Sequence, residues 1–190
     1  EEFPNFKSTT PAAKSPFDVG QDPDRNIDFT MLIAILNFAF TDFATSQKFE
    51  VDYNGVRYSD SEAMYACLHK AIAAGQPILT GQWAAGVTRR DLAELFCGNI
   101  EMPMLDERVA ALNTVGTTLS EKYDGKWHRW VASCAPALYA HGDGLLERLV
   151  AEFPRFDDVS NWKGHKIQIQ KLSQLGLWGL HRGLAPLGRT

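Results

Sequence analysis

Apolar residues are most concentrated in residues 28–43, where the sequence DFTMLIAILNFAFTDF contains few polar side chains. A helix this apolar has no face to give to water, so the segment predicts a buried central helix. The run is shorter than the ~20 residues that span a bilayer, and Asn37 interrupts it. The pattern therefore favours a core helix over a membrane helix.

Three polar residues in this run, Thr30, Asn37 and Thr41, are spaced seven and four apart. At about 100° per residue they would share one narrow stripe of the helix. Two interpretations stay open at this stage. Either the stripe satisfies its own polar groups against backbone or water, or Asn37 projects into a ligand cavity flanked by Phe38 and Phe40.

Residues 1–26 are rich in Pro, Ser, Thr and Asp and show no apolar period, which predicts a flexible or extended N-terminal arm before a single domain at 27–190. Apolar and polar residues alternate over residues 49–58 around Asn54 and Gly55. This pair favours a type I′ turn, so the segment predicts a small β-hairpin.

Most of the remaining chain has apolar residues at helical spacing. Two helix starts are predicted as capping boxes, at Ser59 with Glu62 and at Thr88 with Asp91. Further helices are predicted over residues 102–123, 127–140 with a break at Pro136, 145–153 and 165–183, although the last begins with a strand-like alternation. Six or seven helices with one hairpin predict a mostly α fold.

Length and composition indicate one globular domain, because 190 residues at 45% hydrophobic and 22% charged suffice for a core. The chain starts at Glu1 with no charged and apolar leader, so it is expected to be cytoplasmic. Cys67, Cys97 and Cys134 lack CxxC or HExxH spacing and are expected to be reduced core thiols. Nothing in the sequence predicts a metal or another cofactor.

Charge is distributed unevenly along the chain. Five of the 19 Lys and Arg follow Asp158, whereas all 23 Asp and Glu lie at or before it, so a body of net charge −9 precedes an end of +5. Such a cationic end suits a ligand that carries a phosphate. The alternative is a solvated basic helix face, since no Gly-rich phosphate loop accompanies the charges.

Several motifs, in this order and with these gaps, resemble the queuosine salvage family. The matching segments are LNFAF at 36–40, the V-x-Y-x-G hairpin, AMYACLHKAIAAGQPI at 63–78, PMLDERV at 103–109, FPRFDD at 153–158 and G-x-x-I-x-x-x-K-x-x-Q-L at 164–175. Together they cover about residues 28–180.

The resemblance implies a helical fold similar to DNA glycosylases and an N-glycosidase that hydrolyses queuosine 5′-phosphate to release queuine. It implies Lys171 as the active-site lysine of the K-x-x-Q motif, although an exposed helix lysine is the alternative. Substrate-binding roles are predicted for Asn37, Phe38, Phe40, Lys166, His181 and Arg182. The expected partner is a nucleoside 5′-phosphate or its modified base, without direct nucleic-acid or membrane binding.

The sequence departs from the family in one respect that bears on activity. The family continues to an ADY motif whose Asp is the expected catalytic carboxylate, and no ADY occurs here. Asp60 or Glu62 could supply the acid, and a capping role explains both equally well. Three functions therefore stay open: a glycosidase, a relative that binds the base or nucleotide without cleaving it, and a helical interaction module. Self-association is also predicted, through an apolar groove where further family helices would pack.

Overall fold

The computed structural model describes residue 17, residues 19–157 and residues 159–168. In this part of the chain the predicted mostly α fold is confirmed. The helices are α1 (Pro23–Leu36), α2 (Asp60–Ala73), α3 (Gly81–Gly86), α4 (Arg89–Leu95), α5 (Leu105–Lys122), α6 (Trp127–Ser133) and α7 (Leu145–Glu152). Two antiparallel hairpins pair β1 (Glu50–Tyr53) with β2 (Val56–Ser59) and β3 (Val159–Trp162) with β4 (His165–Gln168).

Helix α1 is the buried central helix that the apolar run predicted, but its limits differ. It begins at Pro23, inside the predicted arm, where the Asp22 carboxylate accepts the backbone N–H groups of Asp24 and Arg25. It ends at Leu36, so the predicted continuation to residue 43 is wrong. Phe43, which the prediction placed in the helix, is 82% exposed.

Helices α3 and α5 pack at very short range because glycines meet at their contact. A Cβ added at Gly116 would lie 2.3 Å from the backbone nitrogen of Ala85 and 2.6 Å from the carbonyl oxygen of Gly81. Only a residue without a Cβ permits this separation. The sequence patterns did not predict α3, which has only six residues, two of them glycine.

An aromatic cluster joins α6 to the segment after α7. The ring centroids of Trp127 and Phe153 are 4.5 Å apart, and Trp130 meets Phe153 edge to face at 5.6 Å. Phe156 closes the cluster from a single 3-10 turn, Pro154–Phe156, and is fully buried. The two phenylalanines therefore fix the backbone on either side of Arg155.

The first hairpin is confirmed, with positive φ angles of 51° at Asn54 and 77° at Gly55 as a type I′ turn requires. The helix predicted from residue 165 is wrong at its start, because β4 occupies His165–Gln168. The turn between β3 and β4 again has positive φ at both positions, 49° at Lys163 and 81° at Gly164. The rest of that predicted helix lies outside the described residues.

The two predicted capping boxes have different outcomes. At Thr88 the box is confirmed, because its backbone N–H donates to the Asp91 carboxylate at 2.8 Å and its hydroxyl accepts the Asp91 N–H at 3.3 Å. At Ser59 it is wrong, since this side chain makes no capping hydrogen bond. Asp60 instead pairs with Lys48 at 2.6 Å.

The cysteines are free thiols, but only Cys67 is buried, whereas Cys134 is half-buried and Cys97 is exposed. The prediction of core thiols is therefore correct for Cys67 alone. In the described part of the chain, no helix is both long and apolar enough to cross a bilayer. Nor do three or more His, Cys, Asp or Glu residues of that part group as a metal site would require.

Candidate functional site

The candidate site is the turn that follows α1, residues 37–40, which contains three of the predicted substrate-binding residues. Asn37 ends the helix with φ −81° and ψ 69°, and Ala39 has a positive φ of 48°. Asn37, Phe38 and Phe40 are all half-buried. The turn joins the first hairpin, since the Phe40 carbonyl accepts the backbone N–H of Phe49 at 2.7 Å.

The predicted polar stripe is wrong because its members do not share a helix. Thr30 lies within α1, Asn37 lies at its end, and Thr41 forms an isolated β-bridge with Lys48. Asn37 therefore belongs to an irregular turn, where its side chain direction is set by the local backbone. Both interpretations of the stripe assumed one continuous helix, so neither holds as stated.

One buried side chain, Arg108 of α5, explains why the chain leaves the helix here. Its Nη1 donates to the carbonyl of Leu36, and its Nη2 donates to the carbonyls of Phe38 and Ala39, the latter at 2.7 Å. Its Nε donates to the Pro103 carbonyl at 3.1 Å. A continuing α-helix would direct these carbonyls along its own axis, so their convergence on the guanidinium ends α1.

The Arg108 guanidinium carries its charge without an acidic partner. Its side chain has no exposed surface, and it forms no ion pair with any carboxylate of the described residues. Burial, together with the positive charge of Arg155, lowers its pKa to about 10. The group therefore remains protonated at neutral pH.

Two cations lie against the same aromatic ring. The guanidinium carbon of Arg108 is 4.3 Å from the ring centroid of Phe38, and that of Arg155 is 4.6 Å from it. Arg108 also lies 5.3 Å from the centroid of Phe40. The rings stabilise the two cations through cation–π attraction.

Sequence reasoning did not single out Arg108 or Arg155, although both lie in segments that carry the family resemblance. A signal for Arg108 existed. It occupies the apolar stripe of α5, three residues after Leu105 and four before Leu112, where a charged residue is unexpected. A cation on the buried face of a predicted helix indicates a specific partner.

Of the other predicted site residues, the structure describes only Lys166. Lys166 is exposed on β4, where it lies opposite Asn161 of β3. Lys171, His181 and Arg182 lie outside the described residues. Their roles stay predictions.

A concave region lies at the other end of α1. It has a volume of about 440 Å³, and its lining includes Asp28, Lys126 and His128. Asp28 is 3% exposed, accepts the His128 backbone N–H at 3.1 Å, and lies 3.2 Å from the His128 ring nitrogen Nδ1. Burial raises the pKa of Asp28, while the His128 contacts oppose that rise.

These contacts give Asp28 a structural role. His128 lies in the first turn of α6, so the carboxylate accepts an N–H that has no partner within that helix. The Lys126 ammonium, 3.7 Å away, adds a charge of opposite sign. Asp28 therefore joins α1 to α6, and none of the described residues predicted to bind substrate (Asn37, Phe38, Phe40 and Lys166) lines this cavity.

The predicted alternative acids are placed at the start of α2. Asp60 is engaged by the Lys48 ammonium, and Glu62 is exposed in the first helical turn. Negative charge at a helix N-terminus is stabilising in its own right. Their surroundings support the structural interpretation of both residues.

Comparison with known proteins gives a consistent result. Residues 17–185 match the family model described as queuosine salvage protein. A protein of Sphaerobacter thermophilus named queuosine 5′-phosphate N-glycosylase/hydrolase is 28% identical over 148 residues, which cover 78% of this chain and 44% of that protein.

Proteins with the same name are similar in two eukaryotes. The Bos taurus protein is 26% identical over 151 residues (78% of this chain, 43% of that protein), and the Schizosaccharomyces pombe protein is 28% identical over 161 residues (78% and 45%). The chain thus spans less than half the length of these curated relatives.

Proposed function

The chain belongs to the queuosine salvage protein family, and we propose on this basis that it serves the hydrolysis of queuosine 5′-phosphate to release queuine in the cytoplasm. The observation that carries the proposal is the family match over residues 17–185, which includes the turn at 37–40 and both arginines that lie against it. A free nucleotide is the proposed partner, and self-association of the chain stays a prediction.

The reaction sets specific demands on a site. Water adds across the bond between C1′ and the base nitrogen, giving a hydroxyl to C1′ and a proton to the departing base. The sugar passes through an oxocarbenium-like state, which a nearby carboxylate stabilises, while aromatic faces hold the base and cations hold the phosphate.

The turn supports part of this assignment. Phe38 and Phe40 are half-buried aromatic rings that can stack on a base, and the Asn37 amide can both donate to and accept from its edge. The positive charge of Arg108 and Arg155 favours an anionic ligand nearby. In the proposal, Lys171, Lys166, His181 and Arg182 meet the phosphate and ribose.

A second candidate function is binding of the same nucleotide without cleavage. It is favoured by the engagement of Asp60 with Lys48, which holds that carboxylate in an ion pair. This candidate predicts affinity without product.

The deciding experiment is incubation with queuosine 5′-monophosphate, with detection of free queuine by mass spectrometry and of binding by calorimetry. Release of queuine supports the glycosidase, and binding without release supports the second candidate. If the protein neither binds the nucleotide nor releases queuine, both candidates are contradicted. A helical interaction module is then favoured.

The same assay tests the proposed role of Lys171 in binding the nucleotide. Lys171→Ala should weaken binding much more than it lowers stability, because a charge-assisted hydrogen bond contributes about 1.5–3 kcal/mol. Raising the salt concentration should narrow the difference in affinity between wild type and variant. Lys163→Ala is the matched control, since this lysine of the same basic segment lies over Trp162, 4.4 Å from its ring centroid. Equal affinities of the Lys171 variant and wild type would contradict the role.

A further inference from the structure

The turn at 37–40 is held in shape by Arg108, which lies 70 positions from Phe38 in the sequence. We propose that Arg108 is the positioning residue of the site: it fixes the backbone of residues 36–39 so that Asn37 and Phe38 face the substrate, and it does not contact the substrate itself. The inference rests on the proposed function of this turn.

The hydrogen-bond geometry supports a positioning role. A guanidinium has five N–H donors in a rigid plane, and four donor contacts of Arg108 reach backbone carbonyls, those of Leu36, Phe38, Ala39 and Pro103. The side chain has no exposed surface, so a ligand cannot reach it. Its donors are committed to the backbone, and its effect on a ligand must pass through the turn.

The buried position of Arg108 carries a desolvation cost, which the contacts to the turn offset. A charged group that has no ion pair with any described carboxylate occupies the apolar stripe of α5, where an apolar side chain of similar volume would avoid the desolvation cost. In return, the fork holds three carbonyls of one short segment and the positive φ of Ala39, a conformation that costs energy for a residue with a Cβ. Arg108 also lies against the Phe38 ring, which restricts the rotation of that ring.

A lysine cannot reproduce this arrangement. Its three donors originate at one atom, whereas the carbonyls of Leu36, Phe38 and Ala39 are reached by two separate guanidinium nitrogens. Arg108→Lys therefore keeps the charge and loosens the turn. Arg108→Met removes the charge as well, while it keeps an unbranched apolar stem in the stripe.

The test compares these variants with Leu112→Ala, which removes a fully buried side chain one turn further along α5, where it lines a small cavity beside Leu32 and Ile35 of α1. Affinity for queuosine 5′-monophosphate is measured by calorimetry at a temperature where each variant is folded. We expect the dissociation constant to rise about tenfold or more in Arg108→Lys, as the loss of one hydrogen bond to a charged group implies. Leu112→Ala should lose thermal stability but keep the wild-type affinity.

Hydrogen exchange provides a readout that a general loss of stability does not reproduce. In Arg108→Lys the exchange of the amides of residues 37–40 should be accelerated more than that of the amides of α1. Leu112→Ala should show no such local change. In the wild type, nucleotide binding should protect the same amides. This last measurement needs no variant, so it tests the inference even if neither Arg108 variant folds.

The outcomes separate the two proposals. A wild type that does not bind the nucleotide overturns the proposed function, and the inference with it. A wild type that binds while Arg108→Lys binds equally well, or while residues 37–40 gain no protection, overturns the inference alone. A loss of affinity in Leu112→Ala equal to that in Arg108→Lys also overturns it, because instability would then explain both.

Discussion

The close contact between α3 and α5 gives the sharpest prediction about stability, the substitution Gly116→Ala. A Cβ at this position would lie 2.3 Å from the Ala85 nitrogen and 2.6 Å from both the Ala84 carbonyl carbon and the Gly81 oxygen, whereas ordinary contact begins at 3.4 Å. All three neighbours are backbone atoms, which cannot rotate away as the end of a side chain can. Helix α3 must therefore move outward by about 1 Å.

The magnitude follows from two opposing effects. Overpacking costs typically about 1–3 kcal/mol, and the rigidity of backbone neighbours favours the upper half of that range. Alanine gains up to ~1 kcal/mol over glycine in a helix interior. We expect a net loss of about 1–2 kcal/mol in the free energy of unfolding, which lowers the melting temperature by about 2–8 °C for a chain of this length.

Urea unfolding followed by circular dichroism measures this loss, and Gly86→Ala provides the control. Gly86 is the last residue of α3, is exposed, and has no heavy atom within 4 Å of an added Cβ. Its substitution should change the free energy by no more than about 0.5 kcal/mol. A Gly116→Ala variant as stable as wild type, or more stable, would refute the close packing of these helices.

Two further predictions concern α1. Leu36→Ala should lower the free energy of unfolding in urea by about 2–5 kcal/mol, because Leu36 is fully buried. Phe43→Ala should change it by no more than about 0.5 kcal/mol. Similar losses in both variants would contradict the exposed position of residue 43. Because burial raises the pKa of Asp28 above 3.8, the native state binds its proton more tightly than the unfolded state. Wild type should therefore lose stability relative to Asp28→Asn as pH rises from 3.8 through the raised pKa, and an opposite trend in the difference between their free energies of unfolding would contradict the assignment.

Elements with local signals were predictable from sequence. The first hairpin follows from Asn54 and Gly55, α5 from its apolar spacing, and the start of α4 from the reciprocal contacts of Thr88 and Asp91. In each case the stabilising partners lie within a few residues of one another. The pattern therefore contains the physical cause of the structure.

The end of α1 was not predictable in this way, because its cause is distant in sequence. The segment after Leu36 remains apolar, and nothing in its pattern stops a helix. The Leu36 carbonyl nevertheless accepts a hydrogen bond from Arg108, 72 positions away. The second hairpin is a different case. Its turn at Lys163 and Gly164 lacks the strong Asn-Gly signal, so the alternation after it could not be distinguished from a helix start.

The candidate site shows the same division. Asn37, Phe38 and Phe40 were named from their sequence and the family resemblance, and the structure places them together on one turn. Arg108 and Arg155 were missed because pairing between separate helical segments leaves no short-range pattern. Only the position of Arg108 on an apolar stripe pointed to a buried partner.

The charge at the turn is a fixed property of the fold. Arg108 has a pKa of about 10, so its guanidinium stays protonated throughout the neutral range. Burial strengthens the field of such a charge, since little water is present to screen it. In the proposed function, the group that ends α1 also favours an anionic ligand at that end. Backbone geometry and electrostatics at the candidate site thus depend on one side chain, whose position is set by α5 and its packing against α3.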